Sequence, residues 1–485
     1  MKYKFKRKPK SYQVAAVKMA LDVGNLAIWF DPGLGKTKVA IDLAAIDHIK
    51  DGINRILVIC PLSAMGVWED EFPLDFPDDI DITITPIVGD DRTSRIIPVL
   101  RSSGLNVMIC NYELFGFDKK EPNDALRLVK VWKPQLVIID EAHFIKNKET
   151  QRSKAVYELS RDAHRILQLT GTPLPKNLID VFGQYYVLDE DIFGDDYNKF
   201  FYRYAIPHKD FKSKVIKWKR MDEFEEKLHR RSFRVKDSEV KGMSPIRFQD
   251  IPVYLKDKTK EIYKDMAEEL IVMLESGAVI DAKMKAVSLM KLQQITGGFL
   301  QKEDIYLNDN NEVIKQKVYF PLGGEKLEVL EDLLNRYSED HKIIIGCRFL
   351  WEINQIELML KRKGIDFATI RGGVSGQART DIKRRFQEDK KLRIVIFQVS
   401  AATAMTLHAA DIGILYSCTT KWDDYWQWLK RIHREGQKKP VTIFRLIAKG
   451  TIDRDIYHKL HVKENFTTKH IEQSKYRNLF EFKED

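Results

Sequence analysis

Short apolar runs alternate with helical stretches along this chain, and this alternation constrains the fold more than any other feature. The first series comprises LAIWF (26–30), RILVIC (55–60), VMIC (107–110), LVIID (136–140) and RILQL (165–169). The second comprises KIIIGC (342–347), DFATI (366–370), RIVIFQ (393–398), IGILYS (412–417) and VTIFRLI (441–447). Continuous apolar, β-branched strands separated by helices are typical of parallel sheets that helices cover on both faces. The sequence therefore predicts two α/β lobes.

The segment between the two series has a different character. It is rich in Lys, Arg and aromatic residues and then becomes helical from Lys256 to Leu292. Near its end, DIYLNDNNEVIKQKVYF (304–320) has a polar turn between alternating apolar runs, which predicts a hairpin. This hairpin is either a wedge that splits strands or a flap that packs on the second lobe, and we favour the flap. The predicted divisions are a first lobe (1–190), a basic, helical connecting region (191–320), a second lobe (321–465) and a C-terminal tail (466–485).

Composition narrows the class of protein. The 485 residues carry 81 Lys and Arg against 71 Asp and Glu, a net charge of +10 that favours a polyanionic partner such as nucleic acid, although many basic proteins bind none. No apolar run of membrane-spanning length or signal-peptide core is present in this sequence. The four cysteines lie far apart, which argues against a zinc site or disulfide framework. We expect a cytoplasmic protein of a bacterium or an infected host cell, with reduced, mostly buried cysteines.

The segment WFDPGLGKT has the residues of a phosphate-binding loop between a strand and a helix. The pattern G-x-x-x-x-G-K-[ST] would place its first glycine where Phe30 stands. Gly33 and Gly35 allow close backbone approach, Lys36 can reach the outer phosphates of a nucleotide, and Thr37 can ligate Mg²⁺. The alternative is a glycine turn that simply leads into a helix.

Two carboxylates follow directly on the apolar run LVIID. Asp140 and Glu141 are expected at the carboxyl edge of a buried strand, where ligands bind in such sheets. Asp140 would hold Mg²⁺ through its water shell, and Glu141 would orient and deprotonate the attacking water. The alternative is that these acidic residues only face solvent at the end of a strand. That would explain Asp140 or Glu141 singly, but it does not explain a D-E-A-H segment that follows a G-K-T loop.

The order of these and further motifs resembles the superfamily 2 helicases and translocases, and within them the Swi/Snf-like ATPases. The motifs are GLGKT, ICPLSAMGVWEDEF, ICNYELF, DEAHFIKN, LTGTPLPKNLIDV, RRSFRVKDSEV, KLQQITGGFL and WQWLKRIHREGQ. The resemblance spans roughly residues 10–460 and is closest to the compact bacterial and viral members. It implies two RecA-like lobes that use ATP and Mg²⁺. In this family the loop does not require the first glycine, so Phe30 is no objection.

The resemblance also implies roles for residues outside the loop. Gln13 would read the adenine edge with an amide that both donates and accepts, unless it is a surface glutamine. The second lobe contributes Gln427, Arg431 and Arg434 within the pattern Q-x-x-x-R-x-x-R-x-G-Q. Two arginines three apart on a helix share a face, and we expect Arg434 above all to act as an arginine finger on the γ-phosphate. The alternative for this pair is a basic helix at a solvated surface.

One segment departs from the family pattern. Where relatives usually have glycines and an asparagine, SAATAMTLHAAD (400–411) places Ala401, Ala402, Ala404 and Thr406. Alanine restricts positive φ and close backbone approach. The family's roles for this segment are therefore not carried over.

A track for nucleic acid is expected on the side away from ATP. The basic run HKDFKSKVIKWKR (208–220) interleaves lysines with Phe211 and Trp218. Lysine and arginine neutralise phosphates without reading bases, so we expect weak sequence specificity and strong salt dependence. Alternatively, such a run of charged residues simply forms a solvent-exposed surface that binds no nucleic acid. The candidate DNA contacts are Ser63, Tyr112, Lys176, Asn177, Lys214 and Lys217.

Together these features predict a DNA-stimulated ATPase that moves along duplex or branched DNA and remodels forks, junctions or DNA-bound proteins. One alternative is a helicase that tracks a single strand and unwinds it. Another is a nucleotide-gated DNA clamp, in which the altered 400–411 segment has uncoupled ATP from movement.

Overall fold

The structure is a computed structural model that describes residues 3–88, 91–115, 124–174, 178–209, 215–240, 244–275, 282–307, 313–401, 407–434 and 437–471. The chain divides into two compact units: the first comprises the residues up to Lys241 together with those from Asn465 onward, and the second runs from Gly242 to Glu464. Each unit has its own hydrophobic core around its own sheet.

The first unit contains nine strands and ten α-helices among its described residues. The strands are β1 (Leu26–Phe30), β2 (Arg55–Cys60), β3 (Ile82–Ile87), β4 (Leu105–Asn111), β5 (Leu136–Asp140), β6 (Arg165–Leu169), β7 (Ala205–Pro207), β8 (Val215–Trp218) and β9 (Ser232–Val235). The helices are α1 (Ser11–Val23), α2 (Lys36–Asp51), α3 (Met65–Asp75), α4 (Arg92–Arg101), α5 (Asp124–Trp132), α6 (Gln151–Ser160), α7 (Val181–Leu188), α8 (Glu190–Phe193), α9 (Tyr197–Tyr204) and α10 (Met221–His229).

Seven of these strands form one parallel sheet in the order β3-β4-β2-β5-β6-β1-β9. All five apolar runs predicted in this half of the chain are strands of this sheet. The central strands β1, β4 and β6 are buried along their whole length, as continuous apolar runs require when helices cover both faces. The remaining strands, β7 and β8, form a separate antiparallel hairpin.

The second unit contains eight strands and seven α-helices among its described residues. The strands are β10 (Ile246–Val253), β11 (Phe299–Leu307), β12 (Val313–Pro321), β13 (Ile343–Cys347), β14 (Phe367–Ile370), β15 (Ile394–Gln398), β16 (Ile412–Leu415) and β17 (Val441–Ala448). The helices are α11 (Asp257–Glu275), α12 (Ala282–Thr296), α13 (Glu325–Tyr337), α14 (Leu350–Arg362), α15 (Gly376–Glu388), α16 (Trp422–Leu429) and α17 (Ile452–Ile471), the last of which continues past the end of the unit at Glu464.

Six of the second unit's strands form a parallel sheet in the order β10-β17-β16-β13-β15-β14. All five apolar runs predicted in the second half of the chain are strands of this sheet. The prediction of two parallel sheets flanked by helices is confirmed.

The connecting region predicted at 191–320 is not a separate body in the structure. β9 completes the first sheet by pairing with β1, and β10 completes the second by pairing with β17. The sequence did not predict these two strands, because β9 is short and β10 is largely exposed. β10 lies at a sheet edge, and residues 247–250 within it are exposed. The tail predicted from residue 466 begins within α17, and residues 472–485 lie outside the described part of the chain.

The predicted hairpin is present as β11 and β12, which pair antiparallel from Phe299↔Pro321 to Leu307↔Val313. At its base the Phe299 ring stacks on Trp351 of α14, with ring centroids 4.7 Å apart. This contact holds the base of the hairpin on the second unit. The tip, residues 308–312, lies outside the described residues, so the choice between a flap and a wedge stays a prediction.

Two further observations bear on the class of protein. All four cysteines are buried and free, as expected. Within the described residues, no helix combines the length and the apolar character needed to cross a membrane.

Candidate active site

A glycine-rich turn joins β1 to α2 at the carboxyl end of the first sheet. Gly33 and Gly35 have φ values of +93° and +73°, a region that favours glycine, and α2 begins at Lys36 directly after Gly35. A Cβ placed on Gly35 would lie 2.4 Å from Nε2 of Gln13. The left-handed backbone favours glycine at both positions, and at Gly35 a side chain would also displace the amide of Gln13. The strand, loop and helix stand in the predicted order.

Lys36 is the first residue of α2, and Thr37 follows it, half-buried. The Lys36 ammonium donates to the carbonyl oxygen of Phe30 across 2.9 Å. Burial lowers the pKa of Lys36, and the nearby carboxylates of Glu141 and Asp140 oppose that shift. The lysine of the loop therefore lies close enough to the two carboxylates of the DEAH segment to interact with their charges, as the sequence predicts.

Asp140 is the last residue of β5, and each of its oxygens is held in place. Oδ2 accepts a hydrogen bond from the indole Nε1 of Trp68 at 3.0 Å, and Oδ1 accepts one from the backbone N–H of Glu141 at 3.0 Å. Burial, followed by the charge of Glu141, raises the pKa of Asp140 to about 6. Carboxylate and hydroxyl oxygens suit Mg²⁺, so Asp140 and Thr37 are the residues that would hold this ion.

Glu141 has a left-handed backbone, with φ +53°, which is uncommon for a residue other than glycine. Its Oε2 lies 3.2 Å from Nδ1 of His143 and accepts a hydrogen bond from Oγ1 of Thr170 at 3.5 Å. Nδ1 of His143 is also 3.3 Å from that hydroxyl. Thr170 follows β6, so the TGTP segment, to which the sequence assigned no role, joins the carboxylate predicted to be the general base.

Gln13 lies beside the loop, and its amide is bonded to the chain. Nε2 donates to the carbonyl oxygens of Leu34 and Gly35 at 3.2 and 3.4 Å, and Oε1 accepts from the backbone N–H of Lys10 at 2.8 Å. Gln13 therefore braces the loop in this structure. Recognition of the adenine edge by this residue stays a prediction.

Sequence reasoning missed Arg234, which lies on β9. Its guanidinium forms an ion pair with Asp31, the first residue of the loop, at 2.7 Å. The sequence did mark this residue as a candidate, because Arg234 lies within the RRSFRVKDSEV motif. Nothing in the sequence showed, however, that this segment pairs with the strand before the loop.

The second unit contains the three remaining candidates for the nucleotide site. Gln427 lies on α16 and is half-buried. The prediction that Arg431 and Arg434 share a helix is wrong, because α16 ends at Leu429 and both arginines lie in the turn that follows. Arg431 is buried, with 7% of its surface exposed, whereas Arg434 is half-buried.

The surroundings of Arg434 are partly defined by the segment before it. Burial lowers the pKa of His408, and the charges of Arg434 and Lys383 lower it further. Gln437 fixes this region, because its Nε2 donates to the carbonyl oxygens of His408 and Ala410 at 3.0 and 2.6 Å. Of the altered segment 400–411, residues 402–406 lie outside the described structure.

The candidate DNA contacts have different outcomes. Lys217 is exposed on β8, directly opposite Ile206 of β7. Ser63 lies in the short helical turn Leu62–Ala64 after β2. Tyr112 requires a correction, because its side chain is only 1% exposed and its hydroxyl donates to the carbonyl oxygen of Asp140 at 2.7 Å. It is a core residue behind the DEAH segment and not a surface contact. The candidates outside the described residues are Lys176, Asn177 and Lys214.

Comparison with known families agrees with this geometry. Residues 12–302 match the SNF2-related domain, and residues 325–436 match the helicase conserved C-terminal domain. The first match alone covers more than half of the chain. The protein therefore belongs to the SNF2-related family, and its two domain matches are those of an ATP-hydrolysing superfamily 2 enzyme.

Several individual proteins are similar to this chain. The CHD3-type chromatin-remodeling factor CHR7 of Arabidopsis thaliana is 27% identical over 446 residues, covering 88% of this chain and 34% of that protein. The SWI/SNF-related matrix-associated actin-dependent regulator of chromatin subfamily A-like protein 1 of Xenopus tropicalis is 25% identical over 449 residues, covering 91% of this chain and 42% of that protein. This chain thus spans well under half the length of either relative.

A solved structure is similar along almost the whole chain. The Sulfolobus solfataricus SWI2/SNF2 ATPase core in complex with dsDNA is 22% identical, covers 97% of this chain and 94% of its own, and has a TM-score of 0.42.

Proposed function

We propose that this protein is an ATP-driven motor that moves along duplex or branched DNA and hydrolyses ATP faster when DNA is bound. The observation that carries the proposal is that Lys36, Asp140 and Glu141 lie close together at the carboxyl edge of the first sheet. The charges of Asp140 and Glu141 act on the pKa of Lys36, and the charges of Glu141 and Lys36 act on the pKa of Asp140. A lysine, a metal-binding carboxylate and a second carboxylate are the groups that phosphoryl transfer to water requires.

Each group has a defined task in that reaction. When bound, Mg²⁺ neutralises charge on the phosphates, and Asp140 and Thr37 would hold it. Lys36 exchanges its bond to the Phe30 carbonyl oxygen for the outer phosphates of ATP. Glu141, held by His143 and Thr170, accepts the proton of the attacking water. We assign Arg434 of the second unit to the γ-phosphate in the transition state, which would link hydrolysis to the movement of the two units.

DNA is the polyanion that we propose as the track. The net charge of +10 and the exposed Lys217 on the β7–β8 hairpin support a partner with a phosphate backbone. The names of two relatives, a chromatin-remodeling factor and a regulator of chromatin, favour DNA over RNA. Contacts to phosphates give little sequence specificity, so we propose that the structure of the DNA, and not its base sequence, selects the substrate.

We further propose that forks, four-way junctions or DNA-bound proteins are remodelled, as would suit branch migration, recombination or repair. We favour a β11–β12 flap over a strand-splitting wedge, with its base held by the contact of Phe299 with Trp351. A motor without a wedge moves junctions more readily than it unwinds duplex. The single-strand helicase and the nucleotide-gated clamp remain the alternative functions.

A steady-state ATPase assay tests the proposal. The rate is measured without nucleic acid and with single-stranded, duplex, forked or four-way DNA, or RNA. We expect duplex or branched DNA to give the largest stimulation and Lys36→Ala to abolish hydrolysis. Lys50→Ala, which changes an exposed lysine at the end of the same helix, is the control and should behave like the wild type. Stimulation by single strands alone would favour the helicase, and negligible turnover with every nucleic acid would favour the clamp.

A further inference from the structure

Arg234 joins three segments of the first unit through one guanidinium group. Nη2 donates to Oδ1 of Asp31 at 2.7 Å, and Nη1 donates to the carbonyl oxygens of Trp29 and Gly171 at 2.9 and 3.1 Å. These acceptors belong to the end of β1, the start of the phosphate-binding loop and the TGTP segment. The side chains of Arg234 and Asp31 are only 14% and 2% exposed, so water screens their attraction little.

Asp31 is held by β9 and the residues that follow it. Its second oxygen, Oδ2, accepts a hydrogen bond from the backbone N–H of Asp237 at 3.1 Å. Its own backbone N–H donates to the carbonyl oxygen of Val235 at 3.0 Å. The first residue of the loop is therefore anchored on one short stretch of chain, from Arg234 to Asp237.

This stretch is also the exit from the first unit. β9 pairs in parallel with β1, with Arg234 opposite Trp29, and a helical turn at Asp237–Glu239 comes next. The main part of the first unit ends at Lys241. The chain that leads towards the second unit thus passes directly against the start of the phosphate-binding loop, and bonds from two of its residues fix the Asp31 carboxylate.

The TGTP segment is packed equally closely against the loop. A Cβ placed on Gly171 would lie 2.8 Å from Cδ of Pro32, which follows Asp31. Arg234 contacts the carbonyl oxygen of this same glycine. The loop, the TGTP segment and β9 therefore share one contact region, and a shift of any of them disturbs the guanidinium bonds of Arg234.

We propose that Arg234 is a positioning residue for the phosphate-binding loop, and that its ion pair with Asp31 links nucleotide binding in the loop to residues 236–240, the segment that leaves the first unit. The planar guanidinium can satisfy a carboxylate and two carbonyl groups together, which the single ammonium of lysine cannot do with the same geometry. Breaking one side of a buried pair leaves an uncompensated charge beside the loop. Phosphate binding depends on the loop backbone being held ready before the ligand arrives.

A double-mutant cycle on the full-length chain tests the positioning role. The Kd of a fluorescent ATP analogue is measured for Arg234→Gln, Asp31→Asn and the double variant, at a temperature where each is folded. We expect each single change to raise the Kd by about tenfold and the double change to add little, because both remove the same interaction. Arg234→Lys should remain defective although it preserves the charge.

The matched control is another buried arginine–aspartate pair of the first unit. Arg165 donates to Asp47 through Nε and Nη2, at 2.7 and 3.0 Å. It lies at the start of β6, whereas the loop follows the end of the neighbouring strand β1, so Arg165→Gln should lower the melting temperature and leave nucleotide Kd within about twofold of wild type. An equal loss of affinity in Arg165→Gln would show that general destabilisation, and not loop positioning, explains the Arg234 result.

Hydrogen exchange tests the link to the exit segment without using turnover. In the wild type, binding of a non-hydrolysable ATP analogue should slow amide exchange in residues 236–240, where the N–H of Asp237 is bonded to Asp31. Asp31→Asn, measured at saturating analogue, should lose this protection. If Arg234→Gln does not fold, the nearly isosteric Asp31→Asn still decides the question. A folded Asp31→Asn protein with wild-type Kd and wild-type protection would overturn the proposal.

Discussion

The indole Nε1 of Trp68 donates a hydrogen bond to Oδ2 of Asp140 across 3.0 Å. Trp68 lies on α3, and 1% of its surface is exposed. The backbone N–H of Glu141 holds the other oxygen of the same carboxylate. A buried aromatic side chain therefore orients the group that we assign to Mg²⁺, and neighbours of this kind commonly tune metal ligands.

Trp68→Phe should preserve most of the packing but remove this donor. We expect kcat to fall by about tenfold and half-maximal activity to require more Mg²⁺, because the carboxylate is no longer fixed before the ion binds. ATPase rates titrated with Mg²⁺ measure both effects. Trp132→Phe, at another buried tryptophan of the first unit, is the control for lost packing. A Mg²⁺ titration of Trp68→Phe that overlays the wild-type curve would refute the role.

Glu141→Gln retains the size of the side chain and its reach to His143 and Thr170 but removes the base. Turnover should fall by roughly two orders of magnitude or more, as is usual when a general base is lost. Binding of an ATP analogue should persist, and the protein should accumulate in the ATP-bound form. Rapid-quench hydrolysis and analogue titration measure the two quantities, with the exposed Glu149→Gln as control. Wild-type turnover would mean that Glu141 only solvates the end of β5.

Arg434→Ala tests the contribution of the second unit. An arginine that acts on the transition state lowers kcat when removed and changes ground-state affinity little. We expect kcat to fall by about a hundredfold or more while analogue Kd changes modestly. Lys438→Ala, four residues away and exposed, controls for the loss of a surface charge. An unchanged kcat would show that Arg434 does not complete the site.

We expect the stability of the second unit to depend on pH through Glu352. It is fully buried on α14 and accepts hydrogen bonds from Ser417 and from the N–H of Phe349. Burial raises its pKa to about 7. The folded state then binds the proton more tightly than the unfolded chain, where the pKa is about 4.3, so stability falls as pH rises through that interval.

Glu352→Gln removes this dependence while preserving shape and most hydrogen bonding. The variant should gain stability relative to wild type as pH rises from 5 to 8, approaching about 3 kcal/mol if the whole shift is realised. Urea unfolding of the second unit at several pH values measures the difference. Parallel stability curves for the two proteins would show that Glu352 does not titrate in this interval.

The parts of the structure that the sequence predicts well are those that a local pattern specifies. Every apolar run became a parallel strand, and all but the edge strand β14 are largely buried, because such runs have few other ways to bury both faces. The loop was equally clear, since Gly33, Gly35 and Lys36 are adjacent in the chain. The DEAH carboxylates also lie where a strand end predicts them.

The parts that were missed depend on contacts between distant residues. β10 is a mostly exposed edge strand with little apolar signal, and only its pairing with β17 defines it. Arg234 meets Asp31 across 203 residues of sequence, and Trp68 meets Asp140 across 72. Tyr112 was misread because an aromatic in a recognised motif does not reveal whether its ring faces solvent or the core.

The most direct test of the motor is ATP-dependent movement of a four-way junction, measured beside unwinding of a simple tailed duplex. Moving a junction forms one base pair for each one broken, whereas unwinding must supply about 1.4 kcal/mol for every step. We predict efficient branch migration or fork reversal with weak separation of the tailed duplex, and neither activity in Lys36→Ala. Efficient unwinding of a long tailed duplex with no movement of four-way junctions would contradict this account and favour a helicase that tracks a single strand.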